Sequence, residues 1–318
     1  MKIVILERNS VGEDVDVSPF ESLGEVVIYP TTPPHLAAER IKDADIVVAN
    51  KTPLTKEVLE TAANLKLISE FATGYDNIDV DYCKTRGIAV TNVSGYSTDS
   101  VAQHTLAMAL YLEEHLFYYN AYVKSGAYSA QDNFCNFDRR YNEFGSLCWG
   151  IIGMGAIGQK VAHLASAFGA KVIYCSISGE KRDLPYEQVS FEEILKRSDI
   201  LSLHCMLSDQ TRHLIGEAAL SKMKKNAILL NVARGAVVDT KALYQALKND
   251  TIGAAGLDVL EKEPMSKDDP LLLLQDSEKL IITPHMAWGS TQARTRLVGE
   301  ACENIRCFLQ GEKRNRIV

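Results

Sequence analysis

The chain has 318 residues, of which 46% are hydrophobic and 24% are charged, and its formal net charge is −7. This length suits two domains better than one hydrophobic core, and the composition is that of a globular protein. The net charge is negative and the one basic run lies at residues 313–316. This argues against nucleic acid as a partner, because phosphates are neutralised by clustered Lys and Arg.

The cysteines and the N-terminus indicate where the protein resides. The seven cysteines form no C-x-x-C pair and their number is odd, which argues against a disulfide framework or a zinc site and favours a reducing cytoplasm. The apolar run at residues 1–7 is too short for a signal peptide and predicts a buried first strand. No apolar stretch has the length of a membrane span. We expect a cytoplasmic protein without a metal or a membrane partner.

Strand patterns and helical patterns alternate along the whole chain, which predicts an α/β protein with parallel sheets. The first five strands are predicted at residues 2–6, 25–29, 45–49, 65–69 and 88–91. One long helix is predicted from residue 98 to about residue 124, followed by a loop at 125–146. Further strands are predicted at 147–152, 170–175, 200–204, 227–231, 254–259 and 280–283, and a last helix at about 290–310.

A glycine motif with the spacing G-x-G-x-x-G occupies residues 153–158, between the strand pattern at 147–152 and a helical pattern. In this setting the motif predicts a dinucleotide site. The first glycine permits a tight turn, the second lets the backbone approach the pyrophosphate at the helix N-terminus, and the third allows close packing. Because this motif usually begins its domain, the five earlier strands predict a separate, smaller domain.

The next strand pattern, at 171–175, is followed by Ser176 and not by the acid that usually binds the adenosine ribose. A serine tolerates a 2′-phosphate, and Lys181 or Arg182 in the following loop could pair with one. Both basic residues could equally face water beside Glu180. The pattern slightly favours NADP(H), and NAD(H) or the use of both stays open.

Three later strand ends carry reactive side chains: Arg234, Glu263 and His285. Ligands of parallel sheets bind beyond the carboxyl ends of the strands, so these groups can converge on one site. Histidine exchanges protons near neutrality, a glutamate can fix its ring, and arginine binds a carboxylate. Each residue alone has an ordinary structural explanation, so only their combination is informative.

These residues lie in N-V-A-R-G at 231–235, in G-L-D-V at 256–259 with the following Glu263-Pro264, and in the Pro284-His285 pair. A-T-G-Y-D-N-I-D at 72–79 and S-T-D-S-V-A-Q-H at 97–104 accompany them. On these motifs the chain resembles the D-isomer-specific 2-hydroxyacid dehydrogenase family over essentially its whole length.

The resemblance implies two doubly wound parallel-sheet domains, a Rossmann nucleotide-binding domain and a smaller flavodoxin-like substrate domain, with the active site in the cleft between them. The substrate domain would comprise residues 1–98 and 288–318, and residues 99–287 would bind the nucleotide. A homodimer would form through the helix and loop at about 99–146.

The resemblance also implies roles for individual residues. His285 would be the acid/base, Glu263 its orienting partner and Arg234 the substrate anchor. Backbone N–H groups around Thr73 and Gly74 would hold the substrate carboxylate. The substrate-binding set would be Lys51, Ala72, Thr73, Gly74, Arg234 and Trp288. The cofactor-binding set would be Val101, Gly153, Met154, Gly155, Ala156, Ile157, Gly158, Ser176, His204, Cys205, Met206, Thr211, Val232, Ala233, Asp258, His285 and Ala287, with Asp258 at the nicotinamide end.

Within the family, the chain is similar to the glycerate dehydrogenase and hydroxypyruvate or glyoxylate reductase branch. This implies reduction of a small 2-keto acid to the D-2-hydroxy acid with NAD(P)H. Lys51 could pair with a substrate carboxylate or face water, and Trp288 could line a pocket or pack between domains. The unusual Arg139-Arg140 and the segment at 145–150, which lacks the family's common lysine-threonine, leave the substrate open.

Two other functions are compatible with the same motifs. One is oxidation of phosphite on the same fold; formate is disfavoured because formate enzymes of this superfamily pair the histidine with glutamine, whereas Glu263 is acidic. The other is a nucleotide-sensing corepressor that uses the fold as a binding module. Corepressors usually carry a peptide-binding N-terminal region and a long tail, whereas the two predicted domains account for nearly all of this sequence. We therefore expect an enzyme, and a turnover assay discriminates the two.

Overall fold

The computed structural model describes residues 1–274 and 277–318, and it divides into two compact units. Unit 1 comprises Met1–Ser97 and Trp288–Val318, and unit 2 comprises Thr98–Ala287. Among the described residues, no helix is long and apolar enough to cross a membrane. The same residues contain no group of three or more His, Cys, Asp or Glu side chains that could hold a metal ion.

Unit 1 is built on short strands that are mostly buried, apart from the second along the chain, which lies at the sheet edge. They are β1 (Lys2–Ile5), β2 (Glu25–Ile28), β3 (Ile46–Ala49), β4 (Leu67–Glu70) and β5 (Ala89–Thr91). Within the described chain these strands form a parallel sheet of five in the order β2-β1-β3-β4-β5, which is the flavodoxin-like order. Three helices pack on one face: α1 (Ala37–Ile41), α2 (Lys56–Glu60) and α3 (Val80–Arg86).

Unit 2 contains the larger sheet. Its helices before the sheet are α4 (Thr98–Glu113) and α5 (Leu116–Lys124), and its strands are β6 (Cys148–Ile152), β7 (Lys171–Cys175), β8 (Glu187–Gln188), β9 (Ile200–Leu203), β10 (Ile228–Asn231), β11 (Ala254–Leu257) and β12 (Leu280–Ile282). The connecting helices are α6 (Ala156–Ala167), α7 (Phe191–Arg197), α8 (Glu217–Leu220) and α9 (Thr240–Lys248). The described strands pair in parallel in the order β12-β11-β10-β9-β6-β7-β8. The order reverses at β6 and β9, and ligands of such sheets bind beyond the carboxyl ends at this point.

The last helix, α10 (Thr291–Leu309), belongs to unit 1 and covers the other face of its sheet. Its residues Ala293, Leu297, Ala301 and Ile305 recur every fourth position, are buried, and pack in one cluster with the sheet. Ser290 caps this helix by accepting a hydrogen bond from the Ala293 N–H at 3.3 Å. The parallel α/β fold predicted from the sequence is confirmed in both units.

The single helix predicted from residue 98 to about residue 124 is wrong. The chain forms α4 and α5 with a break at His115, which adopts a left-handed φ of 52°. A loop packs against the break: Glu113 Oε1 accepts hydrogen bonds from the Asn142 backbone and side chain, and His115 Nε2 lies 3.2 Å from the Arg140 carbonyl oxygen. These long-range contacts, and not a local Gly or Pro, end the first helix. The two-residue strand β8 was also not predicted.

Candidate active site

The glycine loop follows β6 and is fixed between the two neighbouring strands. The Gly153 N–H donates to the Cys175 carbonyl at 3.2 Å, and the His204 N–H donates to the Ile152 carbonyl at 2.7 Å. Gly153 has a left-handed φ of 94°, and a Cβ there would lie 2.6 Å from the backbone of His204 and Cys205. The fold itself therefore requires glycine at position 153.

No contact within the described part of the chain requires glycine at position 155. Its φ is −75°, and a Cβ built on it meets no atom within 4 Å. Gly155 is the N-cap residue of α6, and no side-chain hydrogen bond caps this helix among the described residues. An open space beside an uncapped helix N-terminus suits an anionic group such as a pyrophosphate, because the first N–H groups of a helix lack internal partners.

Substitution of these two glycines is therefore expected to affect different properties, cofactor binding at position 155 and stability at position 153. Gly155→Ala is expected to leave the melting temperature unchanged and to weaken nicotinamide cofactor binding roughly 10- to 100-fold, since a methyl group would overpack the ligand. Gly153→Ala is expected to lower the melting temperature, because its Cβ would collide with the backbone. Thermal denaturation and cofactor fluorescence titration on both variants measure this. Normal cofactor affinity in Gly155→Ala would contradict the assignment of the open space.

The loop after β7 contacts the glycine loop through one of its two basic residues. Arg182 Nη1 donates to the Met154 carbonyl oxygen at 2.8 Å, and Arg182 Nη2 donates to Glu180 Oε2 at 3.2 Å. Lys181 is exposed. Ser176, directly after β7, lies with its Oγ 3.2 Å from Ser178 Oγ. Of the two basic residues named from the sequence, Arg182 is thus the one that touches the predicted nucleotide loop.

His204, which follows β9 beside the glycine loop, presents a buried polar atom. Ser202 Oγ accepts the Trp149 Nε1–H at 2.9 Å and lies 3.0 Å from His204 Nε2. The other ring nitrogen, Nδ1, is buried without a hydrogen-bond partner among the described residues. Burial lowers the pKa of His204 to about 3, so the ring stays neutral. A buried ring nitrogen without a partner at this position fits a bound ligand.

The remaining predicted cofactor residues differ in exposure. Met206 is 86% exposed, and Thr211 Oγ1 donates to its carbonyl oxygen at 2.7 Å. Val101 on α4 and Ala287 are 5% and 3% exposed, which leaves little side-chain surface for a ligand. Burial raises the pKa of Cys205 to about 11, so this thiol stays protonated at neutral pH.

Arg234 lies on a loop after β10 that the buried Asn231 organises. Asn231 Oδ1 accepts the Ala233 N–H at 3.1 Å, and its Nδ2 donates to the Arg234 carbonyl oxygen at 2.9 Å. The half-buried Arg234 donates from Nη1 to the Ala233 carbonyl oxygen at 2.9 Å. Val232 precedes this turn and is buried. The backbone of Arg234 is therefore held in place by Asn231, the last residue of β10.

His285 and Glu263 form a direct pair. His285 Nδ1 lies 2.7 Å from Glu263 Oε2, and Glu263 Oε1 accepts the Leu260 N–H at 2.9 Å. Their side chains are 23% and 32% exposed. A carboxylate at Nδ1 holds the proton there and leaves Nε2 as the nitrogen that can exchange a proton with a ligand. His285 adopts a left-handed φ of 52°, a conformation that its surroundings must maintain.

Asp258 holds the loop that carries His285. Its side chain is 2% exposed, and its Oδ1 accepts the Thr283 hydroxyl proton at 2.6 Å and the Met286 N–H at 2.8 Å. Oδ2 accepts the Ala287 N–H at 2.9 Å, and the His285 N–H donates to the Asp258 carbonyl at 2.8 Å. The end of β11 thus fixes the loop after β12, which brings the predicted residues 258, 263 and 285 together.

Unit 1 holds the other predicted substrate residues. Thr73 Oγ1 donates to the Val93 carbonyl at 2.8 Å, and Asn92 Nδ2 donates to the Thr73 carbonyl at 2.7 Å, so the loop of Ala72, Thr73 and Gly74 is tied to the segment after β5. The Lys51 backbone N–H donates to the Glu7 carboxylate, and its side chain is exposed.

The Trp288 ring packs edge-on against Tyr96 of the same unit, with ring centroids 6.1 Å apart. Arg296 donates from Nε to the Tyr96 carbonyl oxygen at 3.0 Å and so holds the partner of this ring. Trp288 therefore has a packing role inside unit 1, in addition to any contact with a substrate.

Residues 106–287 match the family model described as the NAD-binding domain of the D-isomer specific 2-hydroxyacid dehydrogenases. The chain belongs to this family. As a D-2-hydroxyacid dehydrogenase it is an oxidoreductase with a nicotinamide cofactor, which confirms the resemblance inferred from its motifs.

Relatives over the full length support the same family. The hydroxypyruvate reductase of Blautia hydrogenotrophica is 36% identical over 323 residues, covering 99% of both chains. The glycerate dehydrogenase of Methylorubrum extorquens is 37% identical over 316 residues, covering 99% of this chain and 98% of the relative.

Solved structures show the same fold. The D-lactate dehydrogenase of Aquifex aeolicus, complexed with NAD and lactic acid, has a TM-score of 0.87 and 32% identity, covering 98% of this chain and 96% of that chain. An acyclic imino acid reductase in complex with NADPH and D-arginine has a TM-score of 0.90 and 32% identity over 100% of both chains. These two members of the comparison carry different nicotinamide cofactors.

One buried acid in this dehydrogenase was not singled out from the sequence. Glu70 ends β4, two residues before Ala72, and is 0% exposed. Burial raises the pKa of Glu70 well above its usual range, and Asn77 Nδ2 donates to its Oε2 at 3.5 Å. Its Oε1 has no hydrogen-bond partner in the described chain. The signal was an acid that directly follows the residues Leu67, Ile68 and Ser69 of a predicted buried strand.

Proposed function

We propose that the protein reduces a small 2-keto acid, such as hydroxypyruvate or glyoxylate, to the D-2-hydroxy acid with NADPH or NADH. The observation that carries this proposal is the His285–Glu263 pair at 2.7 Å on a loop fixed by Asp258, at the same sheet edge as the glycine loop. The names of the two curated relatives, hydroxypyruvate reductase and glycerate dehydrogenase, support the substrate class.

The proposed roles follow from the charge that develops during reduction. The substrate carbonyl gains a hydride at C2 and a proton at its oxygen, and His285 gives that proton from Nε2. The Glu263 carboxylate stabilises the imidazolium form and fixes the ring. The Arg234 guanidinium binds the substrate and polarises the carbonyl oxygen, while backbone N–H groups around Thr73 and Gly74 hold the carboxylate. In the reverse direction His285 takes the proton back.

The nicotinamide cofactor supplies the hydride when it is bound. The residues that would hold it are the glycine loop, Nδ1 of His204 and the neighbourhood of Ser176. The open space at Gly155 and the unpartnered Nδ1 of His204 both support this placement. Arg182, which already donates to the glycine loop, is the proposed partner of a 2′-phosphate, which favours NADPH.

Ser176→Asp is expected to shift the ratio of kcat/KM values from NADPH toward NADH by about tenfold or more, because an aspartate accepts the ribose hydroxyls and repels a 2′-phosphate. Arg182→Ala is expected to weaken the binding of NADPH but not that of NADH. Lys181→Ala, a change at the exposed neighbour, serves as the matched control. Steady-state kinetics with both cofactors measure the ratio. An unchanged ratio in Ser176→Asp would show that the ribose pocket lies elsewhere.

The test of the function itself is a set of initial rates, followed through the absorbance of the reduced nicotinamide. NADH and NADPH are each combined with hydroxypyruvate, glyoxylate, pyruvate and phenylpyruvate. Turnover of hydroxypyruvate or glyoxylate above the other two acids is expected. Cofactor binding without turnover of any of the four would contradict the proposal and would direct attention to phosphite or to a nucleotide-sensing role.

The proposed assembly is a homodimer formed through α5 and the loop that follows it. Apolar side chains are exposed there on one stretch of the chain, with Phe117 45%, Val123 53%, Phe134 87% and Phe137 82% accessible. A monomer rarely exposes such a group of large apolar residues. Light scattering coupled to size-exclusion chromatography is expected to give twice the chain mass of 35.1 kDa.

A further inference from the structure

The motif at residues 97–104 places two polar side chains of α4 on the loop that carries His285. Ser100 Oγ donates to the Ala287 carbonyl oxygen at 2.6 Å, and His104 Nε2 lies 3.0 Å from Thr283 Oγ1. Ser100 and His104 are one helical turn apart, so they share a face of the helix. They contact opposite ends of the five-residue loop 283–287.

The directions of the hydrogen bonds follow from the groups involved. Thr283 has one hydroxyl proton, which it donates to Asp258 Oδ1 at 2.6 Å. Its oxygen therefore accepts the proton on His104 Nε2. The Asp258 carboxylate also accepts hydrogen bonds from two further donors, the N–H groups of Met286 and Ala287. Asp258 Oδ1 lies 3.7 Å from His104 Nε2, so the imidazole also faces the carboxylate that it does not bond directly.

We propose that His104 is a positioning residue for His285, acting through the bond to Thr283 that completes the anchoring of the loop. His285 adopts a left-handed backbone conformation, which persists only where neighbouring contacts over-determine it. Asp258 binds the loop from the sheet side, and His104 and Ser100 bind it from the helix side. Loss of the His104 bond frees the Thr283 hydroxyl to rotate and weakens its hold on Asp258. The step that His104 serves, proton delivery by His285, rests on the proposed function, whereas the anchoring does not.

The kinetic test uses substitutions that keep shape and remove one bond. His104→Phe and Thr283→Val are each expected to lower kcat about 10- to 100-fold, as small misplacements of a reacting group do, with KM and cofactor affinity nearly unchanged. The double variant should be no worse than the more affected single variant, because both changes break one link. Thr283→Ser, which retains the hydroxyl, is expected to keep most of the activity. His163→Phe, at an exposed histidine on α6, is the matched control.

A second readout does not depend on turnover. Hydrogen–deuterium exchange of the backbone amides at 283–289 is expected to be faster in His104→Phe and Thr283→Val than in the wild type and in Thr283→Ser. Faster exchange in these two variants, together with a wild type that turns over none of the keto acids, would refute the proposed function and leave the anchoring intact. Unchanged kcat and unchanged exchange in both bond-removing variants would overturn the role of His104. An equal kcat loss in Thr283→Ser would also overturn it.

Discussion

His285→Asn is expected to lower kcat by about 10²- to 10⁴-fold, the usual contribution of a general acid, while cofactor affinity stays close to that of the wild type. The imidazole is the group that can deliver a proton, since its Nδ1 is bound to Glu263 and its Nε2 remains for the substrate. Asparagine is chosen because it tolerates the left-handed conformation at this position better than alanine does. The loss then reports on the side chain and not on backbone strain.

The chain offers a closely matched control for this substitution. His213 also has a left-handed φ, of 50°, and its Nε2 lies 2.5 Å from a glutamate, Glu261. His213→Asn therefore breaks a similar His–Glu pair on a similar backbone, and kcat is expected to stay near that of the wild type. Turnover is measured at saturating keto acid and cofactor, and cofactor affinity by fluorescence. Equal losses in the two variants would show that the effect is conformational and would remove His285 from the chemistry.

The central strands of both units could be predicted because they are buried on both faces. β3 and residues 228–230 of β10 appear in the sequence as uninterrupted apolar runs, and the residue that follows each run lies at the carboxyl edge of the sheet. The same rule predicted the positions of Arg234 and of the glycine loop, since each lies shortly after the end of a strand. Local pattern and tertiary position agree at these points.

The break between α4 and α5 at His115 could not be predicted from the local sequence pattern. Residues 98–124 carry no Gly or Pro, so their propensity alone extends the helix. The break is stabilised by Asn142 and the Arg140 carbonyl, which lie more than twenty positions away along the chain. Tertiary contacts decided the outcome, and a single sequence gives no measure of them.

The anchoring of the His285 loop was hidden for the same reason. His104 and Thr283 are separated by 179 positions, and Thr283 and Asp258 by 25. The family resemblance implies a cofactor contact for Asp258, and the described contacts show that this side chain accepts hydrogen bonds from the loop itself. Side-chain roles that consist of holding another loop emerge only when the backbone positions are known.

Arg234→Gln is expected to lower kcat/KM for the keto acid by about 10²- to 10³-fold, comparable to the loss of one preorganised donor to a developing oxyanion. Asn231 holds the backbone at position 234 through its Nδ2, so the substitution removes the guanidinium without moving the loop. Arg234→Lys is expected to recover little, because an ammonium lacks the planar pair of donors that fits a carboxylate. Arg212→Gln, at an exposed arginine of the same unit, is the control.

The division of the loss between KM and kcat distinguishes two contributions of Arg234. If the guanidinium only holds the substrate carboxylate, binding in the ground state and in the transition state weakens equally, and KM rises while kcat stays constant. If it also polarises the carbonyl, kcat falls as well, because charge grows on that oxygen only as the hydride arrives. We expect both to change. A normal kcat/KM in Arg234→Gln would place the anchor elsewhere and leave the backbone N–H groups at Thr73 and Gly74 as the sole proposed carboxylate site.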